Sequence, residues 1–244
     1  REWCFPVAGF VAYRGYFSSA ESEEFSKGLR EQGYDVYVGG VPAYSTLGWF
    51  SDPVLNTFVA YPETEIARLL FHELAHQRYY LAGDTEFNES FATVVEQEGL
   101  TRWVKRYGRE AQRTTIEDAR KKKSEFISLV LKYRSRLEQV YAAATSDGHK
   151  RTAKAQVLEQ MQQDYARLKH AWNGYSGYDR WFATPPNNAQ LASVAAYGRW
   201  VAAFQALLAK NDGDLARFYQ AVSELSALPA REREMQLENL ANGG

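Results

Sequence analysis

The sequence predicts an α+β chain that is predominantly helical, and three observations carry this expectation. β-prone residues gather in the first fifty positions. Apolar residues then recur at helical spacing, and two heptad-patterned stretches face each other across a short turn signal. Residues 3–17 alternate loosely through Trp3, Phe5, Val7, Phe10, Val11, Tyr13, Tyr16 and Phe17, which suggests an extended segment. Ser18-Ser19-Ala20-Glu21 reads as a capping box opening a helix to about Gln32, with Gly33 as its stop. Tyr34 to Val41 reads as a strand ended by Pro42. Pro62 suits a first helical position, so a helix is expected from there to Ala82. After a turn through Gly83, Asp84 and Thr85, a second helix begins near Phe87 and carries Phe91, Val94, Val95 and Leu100. Phe126, Val130, Tyr133, Leu137, Val140 and Ala144 form one heptad series, and Leu158, Met161, Tyr165, Leu168 and Trp172 form the other. With Ser146-Asp147-Gly148 between them, they predict a long antiparallel helical hairpin. Helices at about 188–209, 213–227 and 230–241 complete the chain. The expected division is a core at 1–110, the hairpin at 111–172 and a helical C-terminal lobe at 173–244.

His72-Glu73-Leu74-Ala75-His76 is the chemically informative stretch. Positions i and i+4 share a helix face, so both imidazoles can converge on one ion with Glu73 beside it. With four His and 21 Glu in the chain, chance produces this pattern with a probability of about 0.006, so coincidence is a poor account. The helix around it is apolar, and buried imidazoles need partners. A second helix starting near Phe87 would return Glu89 to the histidines. Two His and one Glu are a donor set that zinc uses in catalytic sites, which makes Zn2+ the expected cofactor and His72, His76 and Glu89 its expected ligands.

The composition, 45% hydrophobic and 14% aromatic in 244 residues, suffices for one sizeable core or a core with an appendage. No apolar run is expected to reach the ~18 residues of a membrane span. The chain begins at Arg1 without a basic n-region or an apolar h-region, as a processed or excised chain would. Cys4 is the single cysteine, so no internal disulfide is expected. Net charge is −1. Residues 1–100 nevertheless hold 6 basic and 15 acidic side chains, while residues 101–172 hold 17 and 8. An acidic first part favours a cationic group such as a peptide amino terminus. The basic run Lys121-Lys122-Lys123 reads either as a solvated helix face or as a contact for anionic lipid, cell-wall polymer or nucleic acid. There is no Gly-rich phosphate loop and no nucleotide motif, so no nucleic-acid partner is expected. Nothing specifies an oligomeric state.

The HELAH and Asn88-Glu89-Ser90-Phe91-Ala92 stretches together resemble the gluzincin clan of zinc metallopeptidases. More closely, Tyr34 to Phe50, Phe71 to Gln77 and Pro186-Asn187-Asn188-Ala189 with Tyr197 are similar to a family of bacterial proteins called putative aminopeptidases. The resemblance implies a zincin-like core and a peptide substrate. It also implies a periplasmic or cell-envelope parent, tethered to the membrane through an N-terminal export segment that these residues do not contain. It makes Val38-Gly39-Gly40-Val41 either the edge strand that binds substrate backbone, with Gly39 and Gly40 allowing close approach, or an ordinary turn after a core strand. It makes Asn188 a substrate-binding candidate. It also calls for a Tyr or His to stabilise the oxyanion, for which Tyr197 is the first choice and Tyr178 the second. Only twelve residues separate His76 from Glu89, fewer than in better-known gluzincins, which leaves room for a turn and no extra element. Thr93 and Glu96, on the Glu89 face, are candidates to orient the ligands, and Glu96 reads equally as a plain salt-bridge partner.

The expected chemistry is zinc-dependent peptide hydrolysis, with Glu73 as general base and Tyr197 as oxyanion donor. Three functions compete: an aminopeptidase, an endopeptidase or hydrolase of cell-wall peptides, and a non-catalytic metal-binding scaffold. The intact Glu73 disfavours the last.

Overall fold

The computed structural model describes residues 3–5, 9–11, 13–40 and 56–243. Among them the first elements are two three-residue strands, β1 (Trp3–Phe5) and β2 (Gly9–Val11), paired antiparallel with Trp3 opposite Val11. All other regular elements among the described residues are helices, and the expected α+β character is not supported. Residues 34–40, read as a strand, are irregular. Their β-prone side chains find no partner strand among the described residues, and the Val36 carbonyl accepts from the Asn187 amide instead. Propensity without a ladder partner does not make a strand.

The chain divides into two compact units. The first comprises residues 1–15, 40–113 and 196–244, and the second comprises 16–39 and 114–195. In the second unit, α1 (Ser19–Glu31) starts at the expected cap, with the Ser18 hydroxyl accepting from the Glu21 N–H at 3.4 Å. It stops at Gly33, whose φ of +84° is a left-handed conformation suited to glycine. The hairpin forms as α4 (Glu110–Ala142) and α5 (Asp147–Ala171), the latter capped by Ser146. Phe126, Val130, Tyr133 and Leu137 meet Leu158, Met161, Tyr165 and Trp172 in one apolar core. The core also buries a tyrosine: the Tyr133 hydroxyl donates to Asp164 at 2.7 Å, and Lys132 pairs with the same carboxylate.

The first unit is built on α2 (Glu63–Arg78) and α3 (Thr85–Tyr107), packed along each other. Pro62 stands just before α2, at the N-cap position with ψ 144°, rather than at the expected first helical position, and the helix ends at Arg78 rather than Ala82, because Tyr79 is extended (φ −154°, ψ 130°). The two helices approach closely at Gly99, where a Cβ would lie 2.6 Å from the Phe71 ring. Phe87, Phe91, Val94 and Val95 of α3 form the core with Phe204 and Leu207 of α7 (Val201–Lys210), Phe218 and Val222 of α8 (Leu215–Ser226), and Leu237 of α9 (Ala230–Ala241).

The helix expected over 188–209 is broken into α6 (Asn188–Gly198) and α7. At the break the Trp200 N–H donates to Ser90 Oγ at 3.1 Å, and Arg199 pairs with Glu86 and Glu234. Contrary to the sequence expectation, Asn188–Lys210 is long and apolar enough, by length and composition, to cross a membrane. Its buried members Ala203, Phe204, Leu207 and Leu208 pack into the first unit's core, which is the alternative use of such a helix.

Candidate metal centre

The turn between α2 and α3 aims the site. Asp84 caps α3, its carboxylate accepting from the Phe87 N–H at 3.0 Å. Asn88, 1% exposed, accepts from the Leu81 N–H at 2.8 Å and donates to the Leu81 carbonyl at 2.7 Å. One amide thus satisfies both backbone groups of a residue in the turn and fixes the exit of α2 against the start of α3. Glu89 follows immediately, so its direction is inherited from that clamp. Asn88→Ala would take the acceptor from the Leu81 N–H and leave the Leu81 carbonyl with the Asp84 N–H alone, at 3.3 Å. It should lower unfolding stability by about 1–3 kcal/mol in a denaturant titration, with a weaker metal centre as the second readout.

The predicted ligands come together. His72 Nε2 lies 3.1 Å and His76 Nε2 lies 3.8 Å from Glu89 Oε2, and the three donor groups lie within 4.8 Å of one another. A tetrahedral zinc with bonds near 2.1 Å would separate its ligand atoms by about 3.4 Å, so the donors present fit that ion. All three side chains are buried. The two rings meet edge to face, with centroids 5.0 Å apart.

Electrostatics binds the trio. Burial works to lower the His72 pKa, but its contacts with Glu89 and Glu96 outweigh it and raise the pKa to about 9. Burial would raise the Glu89 pKa, but its contacts with His72 and His76 prevail and hold it at about 2. Glu96, 4% exposed, places Oε2 3.1 Å from His72 Nδ1 and orients that ring, as a candidate orienting group would. Thr93 acts elsewhere: its hydroxyl donates to the Tyr197 carbonyl at 3.5 Å.

With Ser90 at Trp200, that contact seats residues 197–200 on α3 one turn beyond Glu89. Tyr197 therefore stands beside the histidines, its ring stacked on His72 with centroids 6.2 Å apart. Although the residue is 40% exposed, burial and the nearby Glu89, Tyr13 and Glu73 push its hydroxyl well above the ordinary tyrosine range. Glu73, on α2 next to His72, is half-buried.

Two tyrosines at the site escaped sequence reasoning. Tyr13 is raised to about 12 by burial and by Glu89, Tyr80 and Glu73. Tyr80 is raised by burial and Glu89, and its ring meets His76 edge-on with centroids 6.2 Å apart. Tyr80 follows His76 by four residues, a spacing that could have flagged it. Tyr13 has no such local signal.

The remaining candidates lie in other surroundings. Tyr178 belongs to the second unit and stacks on Phe126 at 4.0 Å. Asn188 begins α6 in that unit, accepting from the Tyr141 hydroxyl at 2.9 Å and donating its N–H to Asp35. Gly39 and Gly40 fall in the irregular segment, where a Cβ at Gly39 would touch the Tyr37 ring and one at Gly40 would meet open space. Val41, the end of the expected edge strand, lies outside the described residues.

Two imidazoles on one helix and a facing carboxylate on the next, with a further glutamate beside them, make a cluster of the kind that could hold a metal ion. A family model described as "Putative aminopeptidase" matches residues 1–237. The chain belongs to that family, whose description names an aminopeptidase. No curated protein and no solved structure matches it.

Proposed function

We propose that this protein is a zinc-dependent aminopeptidase with His72, His76 and Glu89 as its metal ligands, acting in the periplasm or cell envelope. The location rests on the family resemblance alone. The observation that carries the catalytic reading is the convergence of two imidazole nitrogens and one carboxylate oxygen within 4.8 Å, beside a glutamate outside that set. When bound, zinc supplies a Lewis acid that acidifies water and polarises a carbonyl. Glu73 accepts the proton of the attacking water and passes it to the leaving amine. Tyr197, kept protonated by burial and nearby carboxylates, donates to the carbonyl oxygen as negative charge develops there. Glu96 holds His72 through Nδ1, which keeps Nε2 directed at Glu89. The aminopeptidase mode is supported by the family description and by the acidic balance of residues 1–100, which suits a free α-amine.

Metal analysis of stripped and reloaded protein, followed by a panel of aminoacyl-p-nitroanilides and N-blocked peptides, tests the proposal. One zinc per chain and cleavage of the free-amine substrates is the expected result. Cleavage of blocked peptides in their place would make the enzyme an endopeptidase. Failure to hold zinc would end the proposal.

A further inference from the structure

We infer that Arg68 is a positioning residue for the metal centre, gripping Glu96 so that Glu96 holds His72 in its ligating orientation. The inference rests on the proposed metal-binding role of His72. Glu65, Arg68 and His72 are spaced three and four residues apart on α2, so they share a face, and Glu96 meets that face from α3. The contacts form a continuous line. Glu65 Oε2 accepts from Arg68 Nε at 2.9 Å, and Arg68 Nη1 lies 3.2 Å from Glu96 Oε1. Glu96 Oε2 then lies 3.1 Å from His72 Nδ1. The two oxygens of one buried carboxylate are thus committed to two different donors, and the carboxylate cannot turn without breaking a contact at each end.

A carboxylate buried against an imidazole alone would be costly. Arg68, with a third of its side chain still in solvent, brings a cation in from the rim and so offsets that cost. With Glu96 fixed as acceptor, His72 keeps its proton on Nδ1 and offers the Nε2 lone pair to an ion. His76 has no equivalent support among the described residues. Its Nδ1 is buried without a hydrogen-bond partner among the described residues. Slack in the His72 arm would therefore not be compensated by the other ligand.

The test uses the full chain with Arg68→Met and Arg68→Lys. Zinc affinity is read by competition with a chromophoric chelator, and exchange of the His72 Nδ1 proton by imidazole NMR of the loaded protein. Arg68→Met should bind zinc about tenfold more weakly, with faster Nδ1 proton exchange and unchanged stoichiometry. Arg68→Lys keeps the charge without the fork and should fall between Arg68→Met and wild type. Wild-type affinity and exchange in Arg68→Met would overturn the inference. Should that variant not fold, wild-type behaviour in Arg68→Lys would overturn it equally. A wild-type protein that binds no zinc sinks the metal-centre reading itself. A zinc-binding wild type with an indifferent Arg68 sinks only this step.

Discussion

Glu73→Gln is expected to retain one zinc per chain and to hydrolyse an aminoacyl-p-nitroanilide about 10²–10⁴-fold more slowly than wild type. The two halves of that result have separate causes. The donor atoms that converge belong to His72, His76 and Glu89, so replacing the carboxylate of Glu73 by an amide of equal size leaves the ligand set intact. An amide has no useful basicity, so the proton of the attacking water loses its acceptor and the leaving amine loses its donor. Tyr197→Phe would remove a donor used only as charge develops and should lower kcat with little change in KM. Glu73→Gln should lower kcat further, because it disables both proton transfers. Parallel measurement of bound zinc and kcat separates chemistry from binding. A zinc-loaded Glu73→Gln enzyme with unchanged kcat would remove Glu73 from the mechanism. A variant that loses its zinc would instead make Glu73 part of the binding site.

The pieces legible in the sequence are those in which one residue type repeats at a local period. The heptads of the hairpin, the Ser18 cap with its Gly33 stop, and the four-residue step of His72 and His76 each say which face they occupy. Glu89 was legible because a short turn allows only one return path. What remained hidden depends on contacts between distant positions. Trp200 finds Ser90 110 residues away, and that single bond marks where a continuous apolar helix pattern breaks. Asn88 could be read as part of a motif, but its grip on Leu81 could not, since backbone acceptors leave no trace in sequence. Residues 34–40 show the opposite error: β-prone side chains were visible, and the lack of a partner strand among the described residues was not. Arg68 lay four residues before His72, in plain view, but its meaning depends on Glu96 arriving from the neighbouring helix.

Stripped of metal, the protein should be most stable between about pH 4.5 and 6.5 and should lose stability on either side; with zinc bound, the alkaline loss should disappear. The sign follows from the two shifts. His72 is raised from 6.5 to about 9, so its contribution is full below pH 6.5 and is lost as pH rises through 9. Glu89 is lowered from 4.5 to about 2, so its contribution is full above pH 4.5 and is lost as pH falls through 2. The two shifts share the His72–Glu89 contact, so they are not added, while Glu96 also raises His72 and His76 also lowers Glu89. On the order of 1–3 kcal/mol should go between pH 6.5 and 9, a fall in melting temperature of roughly 2–8 °C. Zinc reverses the dependence because it takes the place of the His72 proton, so its binding strengthens as that proton leaves. The gap between loaded and stripped melting temperatures should therefore widen steadily toward alkaline pH. Glu89→Gln should shrink the alkaline limb of the stripped protein to the part that Glu96 maintains at His72 and should abolish the zinc-dependent gap. Thermal melts at half-unit pH steps, with and without zinc, measure all of this. A gap that narrows above pH 7 would mean that the ion displaces no proton from His72, and the imidazole facing Glu89 would then not be a ligand.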